Sequence, residues 1–197
     1  MNKEHSNNSK NFLVAVMLIA AAAIYRILPH PPNVAPITAI ALFGGAYISR
    51  KYLVFLIPFV ALFISDMVLN NTILRSWYPD VEGVVWWSTY MTGTFIAFGL
   101  IILFGLFFLK KVSTLRVVSV SLLSSFSFFL ITNFFTWVTS SFYPPTFGGL
   151  LTCLGAGIPF FRPTILGDLL FTGVLFGAME LIRSRAFGLK EVLPEGS

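Results

Sequence analysis

Two carboxylates, Asp66 and Asp168, stand inside long apolar runs of this 197-residue chain. An ionisable side chain at the centre of a bilayer costs at least ~2.5 kcal/mol to insert, so each marks a place of function or of pairing. Arg26 and Arg162 border the same runs and are the natural counter-charges. Thr164, Asp168 and Thr172 recur every four residues and so share one helix face; Asp66 with Asn70, and Asn133 with Trp137, do the same. Carboxylate, amide, hydroxyl and indole groups on several helices, with Phe161 beside them, have the make-up of a small-molecule pocket. The spacing therefore predicts one outward-opening pocket built from Asp168, Asn133, Asp66, Arg26, Thr164, Trp137, Phe161 and Arg162. Structural readings stand beside it. Asp66 can pair with Arg26, Asp168 with Arg162 or Arg26, and Asn133 can hydrogen-bond between helices.

Other chemistry is missing. The chain has no GxxxxGK[ST] loop to cradle ATP phosphates, no HExxH and no GxSxG. His5, His30 and Cys153 are too few for a His- or Cys-rich metal site. We expect no cofactor, no metal and no catalysis.

The elements that must position these residues follow from composition. Hydrophobic residues make up 56% of the chain and charged ones 11%, with a mean hydropathy of +0.84. A soluble domain carries roughly 25% charged residues, so an all-helical polytopic membrane protein is the default. Apolar runs cover residues 12–28, 36–48, 52–69, 88–109, 115–138 and 163–182, and we read them as six transmembrane helices. Residues 147–161 are apolar but rich in glycine, and too short to span a core of about 30 Å as a helix. They are expected to form a short re-entrant or capping segment between helices five and six. Trp77, Trp86 and Trp87 suit the headgroup layer.

The net charge of +5 is spread thinly between the apolar runs and reports orientation, with no nucleic-acid partner implied. With six spans and the N-terminus inside, ten of the 13 basic residues face inward, leaving Arg26, Arg75 and Arg162 outside. Both termini are therefore expected in the cytoplasm, as tails over residues 1–11 and 184–197 around a domain over 12–183. Small residues mark packing surfaces: Gly173 with Gly177, Ala41 with Gly45 and Ser49, and the row Ser121, Ser124, Ser125, Ser127.

Several short stretches carry a family likeness. They are Arg26-x-x-Pro29-His30-Pro31-Pro32-Asn33-x-x-Pro36, Gly44-Gly45-Ala46, Ser65-Asp66, Thr132-Asn133, Ile158-Pro159-Phe160-Phe161 and Gly167-Asp168. With them the chain resembles the substrate-binding S components of energy-coupling factor transporters, through a bacterial group of S-component-like membrane proteins. The resemblance implies capture of a vitamin or similar micronutrient at the outer side of the inner membrane. It further implies a separate transmembrane coupling subunit and two cytoplasmic ATPases as partners. One departure is plain: the Ala-x-x-x-Ala spacing of many S components is missing from helix one, where Ala20 to Ala23 run consecutively.

Overall fold

The computed structural model describes residues 2–48 and 52–186. Arg50, Lys51 and Lys190 of the basic count, Ser49 of the small-residue row and the tail beyond Ala186 lie outside the described residues. The chain is all-helical: α1 (Asn2–Ile27), α2 (Ile37–Tyr47), α3 (Leu53–Asn71), α4 (Thr89–Phe108), α5 (Thr114–Thr139) and α6 (Phe147–Ala186), with a 3-10 turn at Arg75–Trp77. Five of these α-helices are long and apolar enough to cross a bilayer, whereas α2 has only 11 residues.

The helices are apolar on their outer faces as well as their inner ones. On α3, Leu56, Val60 and Ile64 form one exposed row; on α5, Leu122, Phe126, Leu130 and Phe134 form another. In water such rows would be costly, and in lipid they are the expected surface of a membrane helix. This is a helical membrane protein.

Contacts set the direction of each helix. Arg26 of α1 meets Ser65 and Asp66 toward the end of α3, so α1 and α3 run parallel. Tyr90, at the start of α4, reaches Asp66, so α4 turns back. Ser125 of α5 meets Asp168 of α6 and Ser121 meets Thr172, an antiparallel pairing. Thr38 touches Asp168 and Tyr47 touches Glu180, so α2 descends alongside α6. Asn11 and Arg183 are 3.4 Å apart, which brings the two ends of the bundle's chain to one face. The α2–α4 crossing is unusually close: a β-carbon on Gly45 or Gly105 would collide with the other helix's backbone. Bare glycines let these two backbones touch directly.

One expectation changes. Residues 147–161 are not a separate re-entrant segment; they form the first part of α6, which runs on through Pro159 and Pro163 for 40 residues. Proline is tolerated inside membrane helices, where neighbours and local adjustment satisfy the freed carbonyls. A helix of that length is about 60 Å long. Even tilted by about 40° it would rise some 46 Å, so it outreaches a hydrocarbon core of about 30 Å. Asp168 lies near the midpoint of α6 and opposite the midpoint of α5.

Candidate functional site

The eight predicted site residues do not converge on one pocket; they divide among separate settings. Arg26 and Asp66 form a buried ion pair between α1 and α3, 3% and 0% exposed. Arg26 also donates to Ser65 Oγ at 2.6 Å, and Tyr90 donates to Asp66 Oδ1 at 3.4 Å. Arg26 stands in the last turn of α1, where the helix dipole favours a cation. One turn along α3, the buried Asn70 accepts from Tyr78 at 3.4 Å and donates to Met91 Sδ at 3.4 Å. The pairing alternative for Asp66 is the one the geometry contains, so neither charge remains free for a ligand. Asp66 Oδ2 is buried without a hydrogen-bond partner among the described residues.

Asp168 is 1% exposed and has neither arginine beside it. Its carboxylate accepts from Ser125 Oγ at 2.6 Å and from the Thr38 hydroxyl. Thr38 belongs to the first turn of α2, the positive end of a short helix that starts beside the carboxylate. One turn along α6, Thr172 lies 3.3 Å from Ser121. Ser121 and Ser125 of α5 thus face the carboxylate side of α6.

A cleft of about 240 Å³ opens one turn from Asp168, lined by Asn33, Phe128, Phe129, Thr132, Asn133, Gly157, Phe160, Phe161 and Thr164. Three predicted residues, Asn133, Phe161 and Thr164, line it together. Phe161 stacks on Phe129 with ring centroids 4.6 Å apart and planes 32° apart. Asn33 arrives on a turn closed by Val34 N–H donating to Pro31 at 3.1 Å. Its φ of 62° after Pro32 makes this a type II turn, with proline and asparagine at the two positions that favour them. The neighbouring Val34 packs on Gly167, where a β-carbon would stand 3.0 Å from its Cα. Across the cleft, a β-carbon on Gly157 would stand 2.6 Å from Asn133 Oδ1.

Trp137 and Arg162 stand elsewhere. The Trp137 indole donates to Pro144 in the turn after α5, at 2.9 Å. That turn curls around a larger hollow of about 600 Å³, but all its lining comes from one stretch, Trp137 to Pro145. Arg162 is exposed on the outer side of α6. Cys153 is buried, its thiol 3.4 Å from the Asn133 carbonyl, and no cluster of His, Cys, Asp or Glu suited to a metal occurs among the described residues.

Sequence reasoning passed over Asn33, Phe128, Phe129, Thr132, Gly157 and Phe160 as site residues. A signal existed for Asn33, since Pro-Asn is the signature of a type II turn. Phe128 and Phe129 had none, being two among 22 phenylalanines.

The model of a family of unknown function, DUF6580, matches residues 6–192. The chain belongs to that family. No curated protein and no solved structure matches it. The DUF6580 fold in this chain is therefore described by its own geometry: a half-length helix ended on a carboxylate, a buried ion pair, and an aromatic cleft between α5, α6 and the turn before α2.

Proposed function

We propose that this DUF6580 protein is a substrate-binding membrane subunit for uptake of a vitamin-sized micronutrient, working in the manner of an S component. In this reading the chain makes six crossings of a bacterial inner membrane, α2 and the turn before it serving as the second, with both ends cytoplasmic. A separate transmembrane coupling subunit and two ATPases supply the energy, which agrees with a sequence that has no phosphate-binding loop. The observation that carries the reading is the cleft, where four phenylalanines surround the amides of Asn33 and Asn133 and the hydroxyls of Thr132 and Thr164. Apolar walls with a few convergent polar groups are how small ligands are held.

A second reading is a stand-alone transporter coupled through Asp168, favoured by that carboxylate's place at mid-helix with no basic partner among the described residues. Native mass spectrometry of protein purified from its own membrane separates the two. We expect a retained small molecule, together with coupling and ATPase subunits. Uptake into proteoliposomes driven by a pH gradient, with this chain alone, would replace the first reading by the second.

A further inference from the structure

We propose that the ligand of the α5–α6 cleft is an uncharged, planar heteroaromatic molecule with N–H donors along its edge, an inference that rests on reading the cleft as a binding site. Charge comes first. No charged side chain lines the cleft. Arg162 is exposed, and Asp168, one turn from Thr164, already accepts from Ser125 and Thr38. An ionised ligand would lose its hydration there without meeting a counter-charge, which is strongly unfavourable.

Shape comes second. The volume of about 240 Å³ equals about eight waters at ~30 Å³ each, room for one ring or a fused pair. The tilted Phe129–Phe161 pair and the neighbouring Phe128 and Phe160 present ring faces and edges suited to a flat aromatic guest.

Polarity decides the rest. The Thr132 and Thr164 hydroxyls donate to the carbonyls of Phe128 and Phe160, each at 2.8 Å, which leaves their oxygens as acceptors. The Asn133 amide nitrogen donates to the Phe129 carbonyl at 2.8 Å. That bond fixes the amide's orientation and turns Oδ1, which has no partner among the described residues, toward Gly157. The bare Gly157 backbone keeps this oxygen accessible. The oxygens of Thr132, Thr164 and Asn133 thus offer acceptors, beside the Asn33 amide, which can donate as well as accept. A ligand that leaves buried acceptors unmatched is rejected.

The test uses purified full-length protein in nanodiscs. Its probes are nicotinamide and adenine, their fully N-methylated counterparts that carry no N–H, and nicotinate. We expect each parent to bind at least tenfold more tightly than its methylated counterpart, and nicotinamide at least tenfold more tightly than nicotinate. Thr132→Val, close to the same shape, should weaken the parents several-fold, and Asn133→Leu should erase the preference. Equal binding of methylated and parent probes, tighter binding of nicotinate, or no binding of any probe overturns the proposed class. The cleft itself is tested apart from that class. If Gly157→Leu and Thr132→Val both retain whatever molecule co-purifies with the parent protein, the binding-site reading falls as well.

Discussion

Two buried carboxylates in this bundle are held by opposite means. Asp66 faces a full counter-charge, Arg26, with Ser65 and Tyr90 completing the group. Asp168 faces dipoles: the hydroxyls of Ser125 and Thr38, and the first turn of α2. The first arrangement ties α1 to α3. The second fixes where a half-length helix begins, and with it the turn that carries Asn33 to the cleft. A full ion pair gives more attraction but strands a charge whenever one partner is lost. Hydroxyls and a helix end spread the same task over several small contacts, each separately removable.

The largest expected effect follows from that asymmetry. Arg26→Leu leaves Asp66 buried and unpaired, and should destabilise the protein by about 3–5 kcal/mol. Thermal unfolding in detergent, followed by retention of the monodisperse species, reads it. The double variant Arg26→Met with Asp66→Leu removes both charges and should recover most of the loss. If the double variant is no better than Arg26→Leu, the pair is not what holds α1 to α3 and the contrast with Asp168 disappears.

Asp168→Asn should be milder, costing about 1.5–3 kcal/mol, because it weakens hydrogen bonds to a charged group without exposing an opposite charge. Its more telling effect is local. Loss of the carboxylate loosens the start of α2, so amide exchange should rise at Ile40, whose N–H closes the first turn on the Pro36 carbonyl at 2.9 Å, and stay unchanged at Ser65. A loss as large as that of Arg26→Leu would mean that a counter-charge faces Asp168 after all.

The helices were largely legible in the sequence because hydropathy alone bounds them: the run read over residues 52–69 begins one residue before α3 and ends inside it, and that over 115–138 lies within α5. The joint in α6 was not legible. Residues 147–161 are rich in glycine and alone too short to span, so two elements were expected where one helix runs through. The pairing of Asp168 with Ser125 was not legible either, since it depends on the register between α5 and α6. The site was legible in part. Helical spacing put Thr164 and Asp168 on one face, and the two are neighbours there. Which of the polar residues share a cavity depends on tertiary register between α5, α6 and the turn at Asn33, and periodicity within one helix carries no such information. Arg26 with Asp66 was available as an alternative from chemistry alone, since charges of opposite sign in a low-dielectric interior seek each other.

A graded pair of substitutions probes the dipole side of the comparison most finely. Ser125 donates directly to the carboxylate at 2.6 Å, whereas Ser121 meets only the Thr172 hydroxyl at 3.3 Å, one turn away on the same two helices. Both serines are wholly buried, and both changes to alanine remove one oxygen from the same interface. Volume lost and helix propensity gained therefore nearly cancel between them, and the difference reports the carboxylate. Ser125→Ala should cost about 1.5–3 kcal/mol, as for a hydrogen bond to a charged group, and Ser121→Ala about 0.5–1.5 kcal/mol. In the Asp168→Asn background the Ser125→Ala cost should fall toward that of Ser121→Ala, because the charge that strengthened it is gone. Equal costs for the two serines in the parent protein would show that the carboxylate draws little from Ser125, and would leave the α2 end as its main support.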